Sequence, residues 1–191
     1  MNPFEDITLL PPAGTTDAQQ ALGQALVELL LQKPFAKISV KALTQTAHVA
    51  RSTFYAYYQN TDELLEDVEN KLLLALIDKD DKIRDRNRQS AADFSYFSAV
   101  LDYVNDHEMA FAALLKPEDS DQRFIQKWKT GMKYNLWARI RPEMTTHNKF
   151  ILELVSAMMI ASIRFYLSEH VLPDQDEIYT TVAKTLKLFD L

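Results

Sequence analysis

Leu22, Ala25, Leu26, Leu29 and Leu30 recur at i, i+3, i+4, i+7 and i+8, which predicts an amphipathic helix over residues 16–33. Pro34 ends it. Ser39 is placed to cap a short second helix, 40–47, with Ile38 and Leu43 forming a hydrophobic staple across its start. A turn at His48-Val49-Ala50 leads to a third short helix, 51–58. Within it Phe54 and Tyr58 stand at i, i+4 and face inward with Leu43 and Val49. Gln59-Asn60-Thr61 breaks the pattern, and Thr61 is read as the cap of a long fourth helix, 62–78 or beyond. Asp62 and Glu63 sit in its first turn, where the helix dipole favours anions. After the nearly all-charged stretch 78–90, helical spacing resumes over 92–106, 108–116, 120–141, 147–172 and 174–189, punctuated by Pro117, Pro142 and Pro173. No stretch alternates like a strand. The expected fold class is all-α, a three-helix head followed by a C-terminal helical bundle. The boundaries expected are a mobile N-terminal arm at 1–15, the head at 16–61, a connecting helix and charged linker at 62–90, and a ligand-binding and dimerisation domain at 91–191.

Charge sharpens this division. The formal net charge is −6, which by itself argues against an anionic partner. Yet Lys33, Lys37, Lys41 and Arg51 lie in a stretch, 33–61, that contains no Asp or Glu. The remainder of the chain sets 17 Lys and Arg against all 27 acids. A basic island on an acidic body can dock on phosphates while the body stays clear of them.

Two short helices joined by a tight turn cannot bury their own apolar faces, so the first helix must back them. The third helix is then free to enter a major groove. Its outward and flanking positions are Arg51, Ser52, Thr53, Tyr55, Ala56 and Tyr57. Arginine reads guanine bidentately, hydroxyls serve a base or a phosphate, and a phenol donates to phosphate oxygens. The run ISVKALTQTAHVARSTFYAYYQNTDELL, through its Leu-x-x-x-Ala, its RSTFYAYY string and its closing Asp-Glu-Leu-Leu, resembles the N-terminal signature of the TetR family of bacterial repressors. The close resemblance covers about residues 21–71. It implies a homodimer bound to a palindromic operator in double-stranded DNA, each protomer carrying a helical domain with an inducer pocket and a four-helix interface. By position it implies that Ser39 and Lys41 touch phosphate or a base edge. It places Arg51, Ser52, Thr53 and Ala56 toward bases, Tyr55 and Tyr57 on backbone phosphates, and Thr61 on a further phosphate. Three residues depart from the family pattern. His48 stands where many members have Gly, Ala50 where a capping Ser or Thr is common, and Thr61 where many have Lys.

The body resembles the C-terminal domain of a TetR subgroup common in Gram-positive bacteria only loosely, through HEMAFAALL and FYLSEHVL. The segment 150–167 is apolar on more than one face, which suits a core on one side and a twin subunit on the other, with the last helix completing the interface. Candidate inducer-lining residues are Phe97, Tyr103, Phe111, Trp128, Met132, Trp137, Met158 and Phe165, large side chains that equally build ordinary cores. No charged residue interrupts these faces, which points to a neutral or lipophilic small molecule as inducer. There is no cysteine, which excludes disulfides and thiolate chemistry. The three glycines form no phosphate-cradling loop, and His48, His107, His147 and His170 lack metal-ligand spacing. Neither an enzyme nor a cofactor or metal is expected. The N-terminus lacks signal-peptide character, and the uncharged run 154–163 is too short to span a bilayer, so a cytoplasmic protein with no membrane contact is expected. The reading is a transcriptional repressor released by a small ligand. The alternatives are a regulator without a small-molecule inducer, acting as an activator or through a protein partner, and a helical binding module or enzyme that keeps the head fold.

Overall fold

The computed structural model describes residues 15–86, 95–116, 123–140, 143–171 and 177, and the regular structure among them is helical throughout. The first helix, α1 (Asp17–Gln32), opens on a capping box: Thr16 Oγ1 accepts from Gln19 N while the Gln19 side chain accepts from Thr16 N. Its buried face is the one the leucine spacing predicts. After a single 3-10 turn (Phe35–Lys37), Ser39 Oγ accepts from Ala42 N at 3.2 Å and starts α2 (Val40–Thr46). The short α3 (Arg51–Tyr57) follows, with Tyr58 already in extended backbone. Seven-residue helices do not persist alone in water. Here Leu22, Leu26, Leu43, Phe54 and Leu64 are all at 0% exposure in one shared cluster. Each buried side chain of that size contributes about 1.5–3 kcal/mol, which offsets the weak local propensity.

The fourth helix, α4 (Thr61–Arg86), departs from the sequence reading at its start. Its cap is Asn60, whose Oδ1 accepts from Glu63 N at 2.9 Å, so Thr61 is the first helical residue and not the cap. Asparagine ranks above threonine at this position, which decides between neighbours. At the other end the helix runs to Arg86, through much of the charged stretch. That stretch contains neither Pro nor Gly before residue 86, and Lys and Arg are good helix formers, so charge marks no break in the backbone.

The body comprises α5 (Ser95–Asp106), α6 (Glu108–Leu114), α7 (Arg123–Ile140) and α8 (Thr146–Glu169). Its core gathers Leu72, Leu73 and Leu76 of α4 with Val104, Phe111, Phe124, Trp128, Met132 and Ile163. The sequence reading carried α8 to residue 172 on the strength of Pro173. The helix stops earlier because His170 adopts a left-handed cap (φ 54°), its N–H donating to Tyr166 O at 2.7 Å. Glu153 on α8 receives Lys129 and Lys133 of α7, the latter at 2.9 Å. The helix as a whole is longer and more apolar than the run 154–163 considered alone. By length and composition it could cross a membrane, and only 22% of its most apolar stretch is buried within this chain. Phe150, Ile151 and Phe165 stand exposed along it. The last helix expected at 174–189, and with it half of the expected four-helix interface, lies outside the described residues apart from Glu177; so does the arm, apart from Thr15.

Head and body meet along α1 and α6. Ala113 of α6 belongs to the head's own core. Lys116 donates to the carbonyl oxygens of Leu30 (3.0 Å) and Leu31 (2.6 Å), closing the last turn of α1 with a cation where the dipole favours one.

Candidate nucleic-acid interface

The α2–α3 turn sets the geometry. His48 sits in the left-handed region (φ 53°), a conformation that favours Gly and that His also tolerates. Val49 N closes the turn on Thr44 O at 3.0 Å. Ala50 then takes the extended backbone of an N-cap (φ −69°, ψ 150°) with no side-chain acceptor to offer, unlike Thr16 and Ser39 at the starts of α1 and α2.

What α3 buries and what it shows are separated sharply. Phe54 is fully buried and Tyr58 nearly so. The Tyr58 hydroxyl donates to Asp67 Oδ2 at 2.6 Å, and Lys71 donates to the same oxygen at 2.6 Å, so the end of the recognition helix is latched to α4. Burial, reinforced by the Asp67 carboxylate, holds this phenol well above the ordinary tyrosine range, which keeps it a neutral donor. Arg51, Ser52, Tyr55, Ala56 and Tyr57 are exposed on the opposite side, with Thr53 half-buried at its edge. Tyr55, at 58% exposure, and Tyr57, at 41%, lie beside the Phe54 and Tyr58 rings, with centroids at 5.4 and 6.4 Å. On α2, Ser39 and Lys41 are exposed. Ser39 Oγ already accepts the capping bond, so toward a phosphate it would act as donor. Thr61 is half-buried in the first turn of α4.

The candidate inducer-lining residues are distributed differently. Tyr103, Phe111, Trp128 and Met132 meet, but as packed core: none exceeds 4% exposure, and Phe111 stacks on Trp128 and Tyr103 at 5.1 and 5.9 Å. Burial pushes the Tyr103 phenol up to about 12. Tyr103 also borders an open cleft of about 890 Å³ between α1 and the α5–α6 corner, walled by Gln19, Gln24, Lys71 and His107. Trp137 is half-buried and packs on Tyr134, at 6.3 Å. Met158 is half-buried and Phe165 exposed, both on α8. The backbone of Phe97 lies in α5 and its side chain lies outside the described residues.

Three connecting residues were not singled out from the sequence: Asp67, Glu69 and Lys116. The Asp67–Lys71 spacing is the i, i+4 pair that stabilises helices, but nothing in the spacing reveals that Tyr58 completes it. Glu69 is 2% exposed and binds Lys127 at 2.8 Å and Arg123 at 3.4 Å. On a helical wheel it falls among Leu65, Leu72, Leu73 and Leu76, on the buried face, and that position is the signal that could have found it.

Known proteins share this head. The family description "Bacterial regulatory proteins, tetR family" matches residues 24–68. The HTH-type dhaKLM operon transcriptional activator DhaS of Lactococcus lactis is 40% identical over 47 residues, and that match spans about a quarter of either chain. Among solved structures, the dihydroxyacetone kinase operon activator DhaS superposes with a TM-score of 0.56 at 19% identity, covering 90% of this chain and 97% of its own. A TetR transcriptional regulator from Streptococcus agalactiae superposes with a TM-score of 0.61 at 19% identity, covering 86% of this chain and 90% of its own. At these identities the structural likeness speaks to the fold, head and body alike, while the match over residues 24–68 speaks to the family. The head, over residues 24–68, is thus similar to the tetR family of bacterial regulatory proteins.

Proposed function

We propose that this protein is a transcriptional regulator that reads a palindromic operator as a homodimer, through α2 and α3. One observation carries the reading: Arg51, Ser52, Tyr55, Ala56 and Tyr57 are all turned outward by a helix held in the core through Phe54 and, just past its end, Tyr58. They stand in an acid-free, basic stretch of an otherwise acidic chain. In this reading Lys41, Ser39, Thr61 and the two exposed tyrosines hold phosphates, and Arg51, Ser52, Thr53 and Ala56 face base edges. The uncovered apolar face of α8 supports a twin subunit as its partner, because Glu153 and Arg164 within the helix fit a bilayer poorly. A dimer also places two recognition helices the about 34–36 Å apart that successive grooves require.

Selection of bound duplexes from a random pool tests this directly. The expected product is an inverted repeat whose affinity falls steeply with salt. Lys41→Ala and Tyr55→Ala lower affinity across sequences, and Arg51→Ala relaxes the preference at one base position. Unchanged binding by all three variants, or weak binding indifferent to salt, overturns the proposal.

Two modes of control fit such a regulator. A repressor released by a neutral or lipophilic ligand would use a cavity among Tyr103, Phe111, Trp128 and Met132. The close packing of those four favours the second mode, control without a small-molecule inducer seated there. The name of the Lactococcus relative, an operon activator, agrees with the second mode. Loss of reporter expression on deleting the gene marks an activator, and a gain marks a repressor.

A further inference from the structure

The turn between α2 and α3 encloses a shallow concavity of about 460 Å³, walled by Lys41, Thr44, Gln45, His48, Val49 and Arg51. Three of these six are basic or can become so, and they come from three places: the start of α2, the turn, and the start of α3. Lys41, His48 and Arg51 are all exposed. Among the described residues none of the three has an ion-pair or side-chain hydrogen-bond partner. The lysines of the body differ: Lys127, Lys129 and Lys133 each hold a carboxylate. No Asp or Glu occurs anywhere from Lys33 to Thr61, so no neighbouring element brings an acid to this concavity from within that stretch. The charged and titratable groups that face His48 across it are therefore Lys41 of α2 and Arg51 of α3.

We propose that His48 is a third cation of the DNA interface, binding one backbone phosphate together with Lys41 beside the base-facing Arg51, and that DNA binding is consequently coupled to uptake of a proton. This rests on the reading of α2–α3 as a DNA-binding element and deepens it. Imidazole is the side chain whose charge changes between about pH 5 and pH 8. A phosphate in the concavity favours the protonated ring. The bound state then holds more protons than the free state, and affinity rises as pH falls. The backbone serves this role as well. A turn closed by Gly would present no side chain at this point, whereas a left-handed His keeps the turn and lines the concavity.

The test is fluorescence anisotropy with a labelled random-sequence duplex, which suffices because phosphate contacts do not depend on sequence. Binding is measured at several salt concentrations, at about pH 6 and about pH 8. The full-length parent is compared with His48→Asn and His48→Gly, two residues that also tolerate the left-handed turn. Near pH 6 the parent binds roughly three- to tenfold more tightly per head than either variant, with a salt slope steeper by about one. At about pH 8 the three converge. Because His107, His147 and His170 are present in all three proteins, the difference isolates His48. If the parent binds the duplex but both variants follow it at both pH values, the role of His48 is refuted and the DNA-binding reading stands. Failure of the parent to bind any duplex refutes both.

Discussion

Glu69 is the residue on which the junction of head and body can be tested most directly. Its side chain, 3% exposed, binds Lys127 at 2.8 Å and Arg123 at 3.4 Å, joining α4 to the start of α7. Glu69→Gln keeps the volume and one acceptor oxygen but removes the charge. Removing one partner of a fully buried ion pair costs about 3–5 kcal/mol. Here the two cations keep 25% and 32% of their side-chain exposure, and Lys127 retains Glu66 at 3.5 Å, so water and a second acid absorb part of the loss. A charge-assisted hydrogen bond also becomes a neutral one, a difference of about 1–1.5 kcal/mol. The expected destabilisation is about 2 kcal/mol, or roughly 4–8 °C in Tm for a chain of this size. Urea and thermal unfolding followed by helical circular dichroism measure it. The double variant with Lys127→Met should lose less than the sum of the two single changes, because an intact pair and an apolar pair are closer in energy than either is to a broken one. A Glu69→Gln protein within about 0.5 kcal/mol of the parent would refute the claim that this pair holds the junction.

Two further outcomes follow from the same geometry. Ala50 has the backbone of an N-cap and lacks the acceptor, so Ala50→Ser should supply the bond that Ser39 makes one helix earlier. It should raise stability by about 1 kcal/mol in the same unfolding assay, and a loss of stability would show that the cap geometry is not as described. Glu153 is held below its ordinary value of 4.5 by hydrogen bonds from Lys129 and Lys133. Since the folded state binds that proton less readily than the unfolded state, the contribution is present above about pH 4.5 and is lost as pH falls through the depressed value. Glu153→Gln should flatten that acid limb of Tm against pH and leave stability near neutrality little changed, since the carboxylate is 47% exposed and water screens the pair. An unaltered acid limb would assign the acid sensitivity to other groups.

The head was legible in the sequence because its elements answer to local rules. The α1 leucine period, the Ser39 cap and the Phe54–Tyr58 spacing each act within one or two turns, and neighbouring segments agree with them. His48 was readable for the same reason, since few residues other than Gly tolerate its backbone. The start of α4 was misread because Asn60 and Thr61 both cap well, and only the Glu63 N–H reveals which is used. The end of that helix, expected at 78 or beyond, falls at Arg86, within the charged stretch. The body was less legible for a physical reason. Tyr103, Phe111, Trp128 and Met132 have the same side chains whether they line a cavity or fill a core, and spacing alone does not distinguish the two. Glu69 and Lys116 owe their roles to partners 58 and 85 or more residues away, which no window of local sequence contains.

These long-range contacts also constrain how control could reach the DNA. Tyr58 fixes the end of the recognition helix to Asp67 of α4, and Glu69, half a turn on, fixes α4 to α7. Lys116 fixes the end of α6 to the last carbonyls of α1, whose buried face is the floor of the head. The recognition helix is therefore tied to the body through α4, and the floor on which it rests is tied through α1. A change confined to the body that leaves these ties intact moves α3 as part of a rigid unit; in the proposed dimer it would alter DNA binding by changing the separation of two heads rather than by reshaping one. Any effector, small molecule or protein, shifts that arrangement only as far as its affinities for the two arrangements differ. A regulator built this way has little to gain from flexibility inside the head. That agrees with an α3 anchored by the buried Phe54 and Tyr58 while Arg51, Ser52, Tyr55, Ala56 and Tyr57 stand exposed.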